Sequence, residues 1–202
     1  MTDLPDADTL FLRFFERWYD EEDRRRRRYR ATKPDVERFP VPLGAHLVEG
    51  SLSPEDRARV AEQIAEMRSA VEGDWPELLG VGGELSAAWI DAFDRAYDRE
   101  EVVRVLEEAD ETDFGNECVV LVCELGVATG EVLRQQLPEL VWVHEWPYWE
   151  SAVLDPGSGV KANVFYWALR KFAEEGVDEG YASKIAALVN AIRRQRPDPT
   201  IS

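Results

Sequence analysis

The chain has 202 residues, a formal net charge of −17, seven tryptophans and only two cysteines. Such acidity repels phosphates, so it argues against nucleic acid or an anionic membrane as the main partner and would instead steer a basic protein. A hydrophobic share of 45% excludes a disordered chain and supports a single domain over residues 1–202 with a substantial core.

Residues 8–30 read as one N-terminal helix, with Asp8 or Thr9 able to cap it. Phe11, Phe14, Phe15 and Trp18 lie on one side, opposite Arg13, Glu16, Arg17 and Asp20. A core-facing helix shows such a stripe; a docking arm or a membrane-surface helix would show it too. Arg24 to Arg28 follow Glu21, Glu22 and Asp23, and acids four residues ahead of arginines pair well on a helix. Five consecutive residues circle a helix, so the run reads as solvated helix and makes no one-sided basic patch. Residues 31–52, with Pro34, Pro40, Pro42 and Gly44, lack periodicity and read as an extended connector.

Residues 53–113 form a helical part. Ser53-Pro54-Glu55-Asp56 starts a helix; Val60, Ile64, Met67 and Val71 follow at helical spacing, and Gly73 ends it. Trp75 to Gly83 reads as a turn region. Another helix begins near Ser86 with Trp89, Ile90, Phe93 and Tyr97. Asp98-x-x-Glu101 resembles a capping box that breaks and restarts it. Glu107 to Asp113 are acidic and expected to be exposed.

Residues 114–196 form the organising part, a helix-sheet-helix core. A helix over 116–137 is apolar nearly all round. At 100° per residue, Glu117, Glu124, Glu131 and Gln135 fall within about 40° of one another. That row is either the helix's wet edge, or a set of partners for arginines of a neighbouring helix, or a site for a cationic ligand. Carboxylates seven apart stand about 10.5 Å apart along the axis, too far to share one ion unaided, and a charged helix face is ordinarily a solvated one. Gly126 and Gly130 lie on the opposite side and suggest close approach of another backbone, since each costs about 1 kcal/mol against alanine in a helix. Cys118 and Cys123 fit neither a zinc knuckle nor a CxxC pair and read as core residues in a reducing compartment. No signal peptide opens the chain and no run reaches transmembrane length, so a cytoplasmic location is expected.

After Pro138 the period changes to two. Trp142, His144, Trp146 and Tyr148 alternate with Val141, Val143 and Glu145, a strand pattern that Pro147 interrupts or marks as an edge. Ser151 to Leu154 reads as a second strand. Asp155 to Gly159 is a turn cluster, and Val160, Ala162 and Val164 mark a third strand. Helices over 165–175 and 178–195 follow. The expected fold is α+β and mostly helical, with a small antiparallel three-stranded sheet packed on a buried central helix.

No phosphate-binding loop, nucleophile elbow or HExxH motif occurs. With only His46 and His144, a multi-histidine metal site is impossible. No catalytic set, metal or cofactor is therefore assigned. The candidate binding residues are Trp142, His144, Trp146, Tyr148, Trp149 and Glu150, joined by Glu131 and Glu124. Tryptophan and tyrosine dominate both cores and binding hot spots, so the cluster reads first as core and, where exposed, as the place for a ligand. The leading functional expectation is a non-enzymatic acidic interaction protein that binds a basic protein. The alternative is a small-molecule binder or hydrolase with a pocket between the central helix and the Trp-rich sheet, using Glu131 and His144.

Two segments carry a resemblance over roughly the last hundred residues. Gly126-Val-Ala-Thr-Gly130-Glu131-Val-Leu, followed by Trp142-Val143, and Pro147-Tyr148-Trp149-Glu150-Ser151 with Asn163 to Ala168, resemble an uncharacterised bacterial, often actinobacterial, family. In that family a GxxxGE helix leads into a tryptophan strand. The resemblance implies no activity and no site residues. By analogy of build and charge alone, small acidic bacterial proteins of this kind include immunity factors for secreted toxins.

Overall fold

A computed structural model describes residues 3–21, 24 and 32–195. Among the described residues there are eight α-helices and a four-stranded antiparallel sheet. Helix α1, Ala7–Phe14, is capped by Asp6, whose side chain accepts the Thr9 N–H at 2.7 Å. It buries Leu10, Phe11 and Phe14, so its apolar stripe is core. The helix stops well short of residue 30. A 3₁₀ turn at Glu16–Trp18 redirects the chain, and the change of direction lets Phe15 and Tyr19 bury their rings as well. The reading of Arg25 to Arg28 as solvated helix lies outside the described residues; Arg24 itself donates to the Arg17 carbonyl.

The expected connector holds strand β1, Val36–Arg38, and helix α2, Ala45–Glu49. This strand makes the sheet four-stranded where three strands were expected. Its three residues are too few to show alternation; pairing with a distant strand defines it. Helix α3, Pro54–Leu79, begins on the Ser53 cap and runs through Gly73 and Pro76 to Gly80, which takes the left-handed conformation at φ 63°. Trp75 explains why Gly73 does not end it. It is fully buried on the face that also buries Val60, Ile64 and Val71, and burying a large aromatic outweighs the roughly 1 kcal/mol that a helical glycine costs. Helices α4, Ala87–Ala96, and α5, Arg99–Glu108, break as the capping signal implies, with Asp98 accepting the Glu101 N–H at 3.0 Å.

Helix α6, Glu117–Gln136, is the centre of the molecule. Helices α3, α4 and α5 pack on it, as do the later helices and the sheet. Val119, Val122 and Leu133 are buried, as the sequence requires. The wet edge, however, is not wet: Glu124 and Glu131 are buried, and only Glu117 of the three acids is exposed.

Strand β2 is Val141–Val143 and does not reach Tyr148. Beyond it the chain turns through Pro147 into a 3₁₀ turn at Tyr148–Glu150. Strands β3, Ala152–Asp155, and β4, Val160–Ala162, complete a sheet of order β1-β4-β3-β2. In register, Trp142 opposes Val153, Val153 opposes Ala162, and Ala162 opposes Val36. Val164 opens helix α7, Val164–Lys171, instead of extending β4. Helix α8, Tyr181–Gln195, closes the fold. Buried side chains from α1 to α8 form one continuous cluster. No described helix is long and apolar enough to cross a membrane.

Candidate functional site

The eight residues singled out by sequence do not form one site. They divide into a closed side, where side chains are consumed by one another, and an open groove.

The closed side begins at Glu131. Its Oε1 accepts from Trp142 Nε1 at 2.8 Å and from Arg134 at 2.9 Å, and its Oε2 accepts from Arg68 of α3 at 3.0 Å. Of the readings of the carboxylate row, pairing with arginines of a neighbouring helix is the one realised, by Arg68 at Glu131 and by Arg104 of α5 at Glu117, 2.9 Å away. Charge-assisted donors on both oxygens leave little capacity for a ligand. Trp142 lies against α6: its six-membered ring fills the space a Cβ at Gly130 would need, and the Phe165 ring does the same at Gly126, 2.5 Å from that position. The Phe165 Cα is also only 3.1 Å from it, so the expected backbone approach occurs at Gly126, while a ring replaces it at Gly130. His144 stacks on Trp142 with ring centres 6.4 Å apart. Burial pushes its pKa below the ordinary histidine value, and Arg57 and Arg134 add to the shift. It is therefore neutral at pH 7, and no described carboxylate hydrogen-bonds to it. Glu145, its neighbour in sequence, is spent on Ser51, whose hydroxyl donates at 2.5 Å.

Glu150 anchors a second consumed cluster. This carboxylate is 6% exposed. It accepts from the hydroxyls of Tyr19 and Tyr166, the latter at 2.6 Å, and lies 2.6 Å from Lys33 Nζ. Trp149 Nε1 donates to Tyr19 Oη at 2.7 Å. Tyr19 and Lys33 come from the N-terminal region, so a buried acid in the core holds that region down. Tyr148 is also buried, and burial raises its phenol far above the ordinary value.

Glu124 differs from both. It is 7% exposed and takes one hydrogen bond, from Trp75 Nε1 at 2.9 Å. Burial raises its pKa, the Trp75 bond lowers it and Asp74 raises it further. Cys118 and Cys123 are free thiols deep in the core; burial pushes Cys123 up to about 12, which leaves it unreactive. Among the described residues no cluster of three or more His, Cys, Asp or Glu side chains could hold a metal ion.

Space for a ligand is distributed unevenly. Between α1, α6 and α7, against Phe165 and Tyr166, the cavity is about 10 Å³, room for no more than one water. An open groove of about 290 Å³ lies instead beyond the end of β2. It is lined by Trp18, Gln63 of α3, Phe114 and Trp146 to Trp149. Trp146 is 50% exposed and Trp18 38%. Of the candidate residues, then, Trp146, Tyr148 and Trp149 line the groove, while Trp142, His144, Glu124, Glu131 and Glu150 do not. Sequence reading missed Trp18, Phe114 and Gln63 as groove residues. Trp18 could have been flagged, since it sits where the aromatic stripe outruns the helix; nothing marks Gln63. Comparison with known proteins adds no relative: no family model, curated protein or solved structure matches the chain.

Proposed function

We propose that this chain is a non-enzymatic interaction protein whose partner is a basic protein, engaged at the groove that Trp18 and Trp146 border. The observation that carries this reading is the pair of half-exposed indoles on one apolar groove of a strongly acidic chain. Tryptophan is the residue most enriched at binding hot spots, and a charge of −17 draws cationic surfaces and repels anionic ones. An immunity-type role, in which the chain masks a basic toxin, is the finer form of the same reading. The alternative of a small-molecule pocket between α6 and the sheet loses ground, because Glu131 is fully engaged and the rings of Trp142 and Phe165 fill the surface it would need. Capture from a bacterial lysate at low ionic strength tests the proposal. A basic protein eluted by salt, and lost when Trp18 and Trp146 are both replaced by alanine, is the expected result. Recovery of no basic protein, or capture indifferent to both substitutions, counts against it.

A further inference from the structure

Among the described residues five large apolar side chains are exposed, Leu12, Trp18, Val41, Leu78 and Trp146, and the two aromatic ones share the groove. Its lining is almost wholly aromatic, with Pro147 and Gln63 as the exceptions and no charged side chain. Aromatic walls present the negative faces of their π systems, and a cation held over such a face is attracted to it. Most of these rings are already committed to one another: Trp18 meets Phe114 edge-on at 5.0 Å, Phe114 lies 5.3 Å from Trp149, and Tyr148 meets Trp149 at 5.2 Å. Trp146 pairs with no other described ring and is 50% exposed, which leaves its indole accessible to a ligand.

We propose that the groove seats an arginine side chain of the basic partner, stacked on the Trp146 indole; this rests on the reading of the chain as a binder of basic protein. Three observations favour that occupant. The chain already places a guanidinium on this aromatic surface, with Arg17 Cζ 5.9 Å from the Trp18 ring centre. Exposed acids neighbour two lining residues in the chain: Asp113 next to Phe114, and Glu66 one turn along α3 from Gln63. Gln63 Oε1, on a side chain that lines the groove, has no hydrogen-bond partner, so it is an acceptor for a donor that reaches it. A planar guanidinium stacks and donates at once, and it is more weakly hydrated than an ammonium, so arginine fits better than lysine. A second copy of the chain would bring the same negative charge and is disfavoured.

The test uses the intact protein and three blocked tripeptides, triarginine, trilysine and tricitrulline. Citrulline keeps the shape of arginine and lacks its charge. Binding is read from the indole N–H resonances of the seven tryptophans. Saturable shifts at Trp146 and Trp18 with triarginine are expected, weaker with trilysine and absent with tricitrulline. The Trp146→Leu variant, folded by circular dichroism, should bind triarginine about three- to tenfold more weakly, and Gln63→Leu should narrow the preference for arginine over lysine. Shifts confined to other tryptophans, equal binding of tricitrulline, or unchanged affinity in Trp146→Leu would overturn the arginine seat. Capture of a basic protein that persists in Trp146→Leu would show that the broader reading survives without it.

Discussion

Glu150 and Trp146 stand four residues apart and belong to opposite kinds of surface. Around Glu150 every donor has an acceptor: two phenols and a lysine converge on one buried carboxylate. Around Trp146 an indole lies half in solvent over an apolar groove. Folding explains the first arrangement, because an unpaired buried charge is costly and a paired, hydrogen-bonded one is tolerable. Folding alone does not call for the second. The contrast teaches that dense aromatic sequence by itself does not mark a site; what marks one is the part of it that the core leaves uncovered.

Substitutions should separate the two regions by what they damage. The largest effect is expected on the closed side. Glu150→Ala removes the buried carboxylate on which two tyrosine hydroxyls and Lys33 converge, and should cost about 2–3 kcal/mol in urea unfolding; a loss below about 1 kcal/mol would mean that solvent reaches the cluster. Gly130→Ala comes next. Alanine gains about 1 kcal/mol of helix propensity, but its methyl overlaps the Trp142 ring, which the bond to Glu131 holds in place. Overpacking costs about 1–3 kcal/mol, so a net loss on the order of 1 kcal/mol is expected, with a shift of the Trp142 indole resonance.

Glu124→Gln should go the other way. A carboxyl whose pKa is raised in the folded state contributes stability that is complete below its ordinary value and is lost as pH rises through the raised one. Above that value the buried charge opposes folding, and glutamine keeps an acceptor for Trp75 without it. The variant should be more stable than wild type at pH 8, and the gap should close as pH falls towards the ordinary carboxyl range. A gap that widens on acidification would contradict the shift. The comparison between variants is needed because His144, whose pKa is lowered, acts oppositely: it costs the fold stability as pH drops below the ordinary histidine value. Smallest is Trp146→Leu, expected within about 0.5 kcal/mol of wild type, since the side chain is half exposed. A large loss there would make Trp146 part of the core and remove the contrast.

The central helix and the break at Asp98 were legible in sequence because each rests on local signals, apolar periodicity and a cap. Strand β1 was not, because three residues between prolines acquire their meaning only from β4. The extent of α3 was hidden for a similar reason: Gly73 is a local stop signal, and the burial of Trp75 that overrides it is tertiary. The acids of α6 show how far a pattern carries. Spacing correctly put Glu124 and Glu131 on one stripe, but whether a stripe meets water or a neighbour depends on α3, which brings Trp75 to one and Arg68 to the other. The tryptophan cluster was correctly placed in sequence and misread as strand, because alternation persists in Trp142 to Tyr148 while the chain leaves the sheet after Val143.

Oxidative footprinting of the seven tryptophans, read by mass spectrometry with and without the captured basic protein, compares the two regions in one experiment. Trp18 and Trp146 should be the indoles modified most readily in the free chain, with Trp75, Trp89, Trp149 and Trp167 spared, and both should be protected in the complex. Modification spread evenly over all seven, or protection that leaves Trp18 and Trp146 unchanged, would contradict the division into a closed core and one open aromatic groove.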